Sequence, residues 1–347
     1  MDQISIVGID LAKSVMQVHG VDAAGAVVVQ RRLRRGQVMG FFARLPRCVI
    51  GLEACATAHY WGRELKALGH EVRLIPPAYV KAYVRRNKND AADAAAICEA
   101  VSRPSMRFVV LKTAAQQAAG GLHKVRELLV KQRTMTINTL RGLMAEFGIV
   151  VPQGPHHVGQ LKAKLADGAG LDIPAPLPAG LLALATNLES LEQQLAAVEK
   201  EIIAWGRASK TCRHLITAPG FGPILASAMA AMVADPRQFR SGRDFAASLG
   251  LVPRQEGTGG KVRLGPISKR GNGYLRRLLV NGAMAVMISQ RGRRDPWLMK
   301  LVARKRPKVV AVALANKMAR IAWAILVKGE TYRAPVHTSS GAIAASA

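Results

Sequence analysis

Cysteine is scarce in this chain: Cys48, Cys55, Cys98 and Cys212 are the only four in 347 residues, and none lies in a CxxC pair. This excludes a disulfide framework and a cysteine-based zinc site, and adjacent His156 and His157 cannot share a helix face to bind a metal. The thiols are expected to pack in cores under reducing conditions. Aromatic residues make up 5% of the chain, so stacking platforms for unpaired bases are few. No apolar run is expected to reach the roughly 20 residues needed to span a bilayer. The opening MDQISIVGID has neither the basic stretch nor the cleavage site of a secretory signal, so a cytoplasmic protein is expected. The other shortage is of negative charge. Against 50 Lys and Arg stand 22 Asp and Glu, leaving +28. A chain so charged repels itself unless polyanions neutralise it. That points to DNA or RNA as the partner, because each cation facing a phosphate releases condensed counterions.

What is present falls into three stretches. Residues 1–112 alternate strand and helix patterns. Ile4–Asp10 is β-branched and ends in an acid, and Val15–His19 and Ala26–Arg31 read as the next strands, with Gly25 in the turn. Cys48–Leu52 is a short buried strand running into Glu53. A helix covers Ala58–Leu68 and stops at Gly69, and a strand Val72–Ile75 is ended by Pro76 and Pro77. Asn89 precedes an Ala-rich helix, Asp90–Val101. Such an order argues for a mixed sheet flanked by helices.

Residues 113–210 read as helical. Leu184, Leu188, Leu191, Leu195, Val198, Ile202 and Trp205 alternate four and three apart. This is an a/d seam of the coiled-coil kind, which a helix packed in a bundle also shows. Lys124–Phe147 is the candidate partner helix, and the Pro- and Gly-rich Pro152–Pro178 connects the two. The third stretch, 211–333, is basic toward its end: 19 Lys and Arg against 3 Asp and Glu between Arg254 and Arg333 hold more than half of the excess charge. Residues 334–347 are small and polar and are expected to form a disordered tail.

Four carboxylates stand out. Asp10 ends the strand of GIDLAK and Glu53 ends that of VIGLEA, and an acid at the end of a buried strand carries a desolvation cost that calls for a reason. Asp90 and Asp93 lie three apart at a helix start, on one face, where the helix dipole also favours acids. Gathered at one sheet edge, four acids would repel each other without cations, and hard oxygen donors select Mg²⁺ or Mn²⁺. Two such ions about 4 Å apart clamp the attacking and leaving oxygens of a phosphodiester.

The third stretch carries two Gly-rich turns. Gly220 and Gly222 flank Phe221 just before a helix, a setting for backbone N–H groups to meet a phosphate or for an ordinary helix corner. Further on, Thr258 is followed by Gly259 and Gly260, with Lys261, Arg263, Lys269, Arg270, Arg276 and Arg277 close behind. A hydroxyl on a Gly-flanked loop among cations suits attack on a phosphodiester, although the chemistry by itself favours a phosphate-binding loop without a nucleophile. Lys305, Arg306, Lys308, Lys317 and Arg320 are expected to position phosphates without reading bases.

The order Asp, Glu, Asp-x-x-Asp carried by GIDLAK, GLEACA and NKNDAADA resembles the RuvC-like amino-terminal domain of Piv-type DNA invertases and bridge-RNA-guided insertion-sequence transposases, over residues 4–112. The resemblance implies that Asp10, Glu53, Asp90 and Asp93 take the four catalytic carboxylate positions. VPRQ-x-x-x-GGK followed by LG-x-ISK-x-G resembles the second domain of the same family over residues 215–327. Members commonly carry two adjacent hydroxyl residues before the Gly pair, a serine there being the covalent nucleophile. This chain departs from that pattern with Gly257 and then Thr258, and Thr258 is the candidate nucleophile.

The fold expected is therefore α/β plus α. It comprises a RuvC/RNase H-like mixed-sheet domain (1–112), a helical coiled-coil insertion (113–210) and a mostly helical recombinase domain with a helix–hairpin–helix-like element (211–333). The resemblance further implies DNA as substrate, Mg²⁺ or Mn²⁺ as cofactor, a structured noncoding guide RNA and a nucleoid-associated bacterial protein. The heptad, together with the need for more than one cut, points to a homo-oligomer, dimer or tetramer, built partly through Leu184–Trp205. Rival readings are a junction-resolving nuclease, which needs only the four acids, and a decayed nucleic-acid-binding protein. An actin-like sugar kinase, suggested by GIDLAK, would need a second phosphate loop that the sequence lacks.

Overall fold

The computed structural model describes residues 4–83, 90–152, 159, 163, 173–259 and 261–334. The chain divides into two compact units, Met1–Ala114 and Ala115–Ala347. The helical stretch and the basic stretch, expected as separate domains meeting at 210–211, thus fall in one unit. The expected tail lies outside the described residues, apart from its first position.

In the first unit β1 (Ile6–Leu11), β2 (Val15–Val21) and β3 (Val27–Arg34) form an antiparallel meander. On the other side of β1, β4 (Val49–Glu53) and β5 (Glu71–Ile75) add in parallel, giving the order β3-β2-β1-β4-β5. β3 runs three residues past its expected end because Leu33 repeats the inward beat of Val29. One sheet face buries Val7, Ile9, Met16, Val18, Ile50 and Leu52 against Phe42 of α1 (Val38–Phe42) and Trp61 and Leu65 of α2 (Ala58–Ala67). After the short α3 (Pro77–Val80), α4 (Asp90–Ser102) covers the opposite face, packing Ile97 and Val101 with Ile6, Val49 and Ile75. Cys48, Cys98 and Cys212 are buried as expected, whereas Cys55 is exposed. Burial pushes the Cys48 and Cys98 thiols up to about 11.

α4 can lie so close because the sheet presents two glycines to it. Gly8 and Gly51 are cross-strand partners on β1 and β4. A Cβ on Gly8 would stand 2.3 Å from the Ala94 carbonyl oxygen and 2.4 Å from the Cys98 nitrogen, and one on Gly51 would stand 2.9 Å from Val101 Cβ. The pair makes a trough into which the helix backbone settles.

In the second unit α5 (Ala114–Ala145) and α6 (Leu177–Ala208) run antiparallel. Leu140 and Met144 meet Leu181 and Leu188, and Leu129 meets Leu191 and Leu195. The leucine seam is therefore spent within the chain. An oligomer held by it is corrected: these side chains already have their hydrophobic partner, and a Leu188→Asp or Leu195→Asp change would test folding and not assembly.

The unit continues with α7 (Lys210–Ile216), α8 (Pro223–Met232), α9 (Gly242–Ser248), the two-stranded ribbon β6 (Pro253–Thr258) and β7 (Lys261–Ile267), and α10 (Gly273–Ile288). α11 (Gln290–Arg293), α12 (Pro296–Val302) and α13 (Pro307–Lys328) follow. Their core joins Leu225, Met229, Phe245, Leu279, Leu314 and Met318. Among the described residues α13 is long and apolar enough by length and composition to cross a membrane, despite its interrupting lysines; here Val310, Leu314, Met318 and Ala322 of α13 are buried in the core.

One buried polar cluster ties four of these helices together. His123 of α5 is 1% exposed, with Nδ1 3.0 Å from the Tyr274 hydroxyl of α10 and Nε2 3.1 Å from Ser227 Oγ of α8. Ser227 donates to the Ile224 carbonyl, so it accepts from a protonated Nε2, and Tyr274 donates to Nδ1. Arg126 in turn donates to Tyr274 and is paired at 2.7 Å with Glu199 of α6. Every polar atom is then matched by a neutral imidazole, and burial, with the nearby Arg126 charge, lowers the His123 pKa to about 4. An unfolded histidine titrates near 6.5, so between pH 6.5 and 4 the unfolded chain binds the extra proton. This contribution to stability is complete above pH 6.5 and is lost as pH falls toward 4, by about 3 kcal/mol in all. Urea unfolding at pH 7 and pH 4.5 should show this drop, and His123→Gln should flatten it; equal pH dependence in the variant would refute the assignment.

Candidate active site

Asp10 and Glu53 stand side by side. The parallel register pairs Gly8 with Gly51 and Ile9 with Leu52, so the next positions, Asp10 and Glu53, are neighbours on adjacent strand ends. Strand alternation turns both toward the face that α4 covers, the face of Gly8 and Gly51. Both are half-buried. Asp93 lies on α4 four residues before Ile97, which packs on Gly51, so it shares the sheet-facing side one turn earlier. Asp90 opens the helix, and its side chain lies outside the described residues.

The three elements that carry these acids, β1, β4 and α4, pack against one another. Among the described residues, however, no three His, Cys, Asp or Glu side chains come close enough to hold one ion. Carboxylates are the donors a hard divalent cation takes, and Asp10 and Glu53 on the strand ends with the acids of α4 are the residues that could hold one.

Thr258 ends β6 and pairs with Lys261 at the start of β7, where Gly259 turns the chain at φ +57°. Glycine serves there because the left-handed region excludes most side chains. The Thr258 side chain and Gly260 lie outside the described residues. The ribbon is exposed along its length, with Lys261 and Arg263 on it and Val262 67% exposed. Lys269 and Arg270 are also exposed, on a loop clamped by close backbone contact: a Cβ on Gly250 would lie 2.5 Å from Arg270 N.

Other expected contacts serve the fold. Gly220, at φ +80°, is pressed against α10 and α13: a Cβ there would meet Met318 Cε at 2.6 Å and the Gly282 oxygen at 2.9 Å. Gly222, by contrast, has open space around it and caps α8. Arg276 donates to the carbonyls of Leu249 and Arg270 at 3.0 and 2.8 Å. Arg277 is paired with Glu127 of α5. Lys317 stands 3.5 Å from Asp295 and over the Trp297 ring. These three cations hold helices together, which weakens their reading as free phosphate contacts. Ser241 caps α9 by accepting from Asp244 N. Two arginines on β3, Arg32 and Arg34, were not among the expected site residues; the signal for their common face is the inward beat of Val29 and Leu33.

Comparison with known proteins supplies the lineage. A profile described as "Transposase IS116/IS110/IS902 family" matches residues 212–298, and a "Transposase" profile of the IS110 DEDD type matches residues 7–149. The chain is 50% identical to a "Probable family 20 transposase" of Pseudomonas aeruginosa, over 95% of this chain and 99% of that protein. It is 41% identical to the "Transposase for insertion sequence element IS1328" of Yersinia enterocolitica, over 96% of this chain and 99% of that one. It is 39% identical to the "Transposase for insertion sequence element IS1111A" of Coxiella burnetii, over 96% of this chain and 92% of that one. Two profiles on the two halves of the sequence, and relatives matched end to end, give one answer: the chain belongs to the IS110 family of insertion-sequence transposases, and its amino-terminal half is that family's DEDD domain.

Proposed function

We propose that this transposase cuts and rejoins DNA by phosphoryl transfer, using the acids Asp10, Glu53, Asp90 and Asp93 with Mg²⁺ or Mn²⁺, and Thr258 as the attacking hydroxyl. The observation that carries the reading is the pairing of Asp10 and Glu53 at adjacent strand ends, under the helix that bears the other two acids. A divalent ion bound there would offset the charge that develops on the phosphate oxygens and on the attacking and leaving oxygens. The carboxylates orient, and one accepts the proton that the threonine hydroxyl gives up. Thr258 Oγ forms a new bond to phosphorus, the scissile P–O bond breaks, and the departing DNA oxygen takes a proton to become a free hydroxyl. Run backward with a different DNA hydroxyl, the same step rejoins strands without loss of the phosphodiester.

Exposed Lys261, Arg263, Lys269 and Arg270 then position phosphates. They carry no sequence information, which is consistent with target choice by a structured noncoding RNA pairing with donor and target DNA. Strand exchange requires more than one cut, so more than one copy acts together, through surfaces other than the leucine seam. The setting is the bacterial cytoplasm, on the nucleoid.

A denaturing gel with labelled element-end DNA, the flanking transcript and Mg²⁺ tests this. A slow-migrating protein–DNA adduct should form, vanish in Thr258→Ala and return in Thr258→Ser. An adduct that survives Thr258→Ala would move the nucleophile elsewhere, and nicked DNA with no adduct would mark a hydrolytic nuclease.

A further inference from the structure

The face of the sheet that bears Asp10 and Glu53 continues past β1 across two more strands. In the antiparallel register Asp10 is opposite Gln17, and Gln17 is opposite Arg32. A row therefore runs Glu53, Asp10, Gln17, Arg32 across four strands on one face. The neighbouring row runs Gly51, Gly8, His19, Gln30, and a contact of 3.4 Å between Gln30 Nε2 and His19 Nδ1 shows that those side chains share a side. Arg34, two residues beyond Arg32, faces the same way. On the opposite face of β3, Val29 and Leu33 are buried in the core, and Arg31 lies between them. Arg35, just after the strand, sits over the Trp61 ring at 4.9 Å. The sequence Arg31–Arg35 thus sorts its arginines: Arg32 and Arg34 go to the carboxylate face, while Arg31 and Arg35 go elsewhere. Arg32 and Arg34 are exposed and have no ion pair among the described residues.

We propose that Arg32 and Arg34 form a phosphate rail that holds the DNA strand as it enters the carboxylate site. The proposal rests on the carboxylate reading above and adds to it the residues that position the strand. At about 4.8 Å per strand, β3 lies about 10 Å from β1. A guanidinium reaching back from there meets the backbone beside the scissile phosphate and not the scissile phosphate itself. The arrangement also has an electrostatic logic. Acids at the reaction centre repel DNA, and cations one step away restore the attraction. Guanidinium suits the task because its fork takes two phosphate oxygens at once. Charged residues also guard an edge strand against pairing with another chain, but for that purpose either face of β3 would serve.

The test uses the full chain and its element in a cellular excision assay, with four variants of purified protein checked for unchanged size and melting. Arg32→Ala with Arg34→Ala should lower excision about tenfold or more, because misplacing a strand near the reacting atoms is costly. Lysine at both positions should recover part of it, since it restores the charge but not the fork that takes two phosphate oxygens. Arg31→Ala with Arg44→Ala removes the same charge on the other side and should stay within about threefold of the parent, as expected for a screened surface change. On purified protein with a labelled duplex of the element end, the first pair should flatten the slope of log K against log salt by about 1.8, for two lost phosphate contacts. Equal losses from both arginine pairs, or none from the first, would overturn the rail. Asp10→Asn separates the two levels. If Asp10→Asn abolishes excision and the rail variants behave like the control, the rail alone fails; if Asp10→Asn still excises, the carboxylate reading beneath it fails too.

Discussion

Asp10→Asn and Glu53→Gln should each cut recombination on the order of a thousandfold while DNA binding holds or tightens. The amides keep shape and volume but lose the negative charge that a hard cation needs, so under the proposed mechanism either change would remove the stabilisation of the attacking and leaving oxygens. Binding behaves differently, because a carboxylate beside a phosphate is repulsive, and its removal lifts that repulsion. The double variant should be little worse than either single one, since residues that act as a unit fail as a unit. Both acids sit at strand ends that are half-buried, not in the core, so the amides should cost little stability. Losses of activity and binding in equal proportion would point to a folding defect and not to chemistry.

Gly8→Ala should be the most damaging small change in the first unit. One methyl group would stand 2.3 Å from the Ala94 oxygen and 2.4 Å from the Cys98 nitrogen, both backbone atoms of α4. Backbone cannot turn aside as a side chain can, so the helix must lift off the sheet. Overpacking of this kind costs about 3 kcal/mol or more, and melting should fall on the order of 10 °C. Activity should fall further than stability explains, because Asp93 travels with the helix. Gly40→Ala is the matched control: it lies in α1 with open space around its Cβ and should be neutral or stabilising. A Gly8→Ala protein that melts and recombines like the parent would show that α4 does not seat on this trough.

The placement of Asp10 and Glu53 at strand ends was legible in the sequence because a carboxylate that ends a hydrophobic strand is conspicuous. The trough was not. Gly8 and Gly51 read as ordinary strand glycines until the register sets them opposite each other beneath a helix. The leucine seam from Leu184 to Trp205 announces that one helix face is covered, but a heptad carries no label for its partner, and here the partner is α5. Arg276 and Arg277 resemble free cations in a basic stretch. Their use on the carbonyls of Leu249 and Arg270 and on Glu127 depends on contacts made across up to 150 positions of sequence. The His123, Ser227 and Tyr274 cluster was invisible for the same reason, since its members come from three distant helices. Strand β3 was read too short because its arginines mask the alternation that Val29 and Leu33 keep.

The central claim is that the transposition chemistry is centred on a metal held between Asp10, Glu53 and the first turn of α4. The direct measurement is anomalous scattering from crystals of the full chain bound to element-end DNA and grown with Mn²⁺. The account predicts density between the Asp10 and Glu53 carboxylates, with a further oxygen from Asp90 or Asp93, and loss of that density in Asp10→Asn. Manganese bound at another place with this edge empty, or unchanged density in Asp10→Asn, would contradict it.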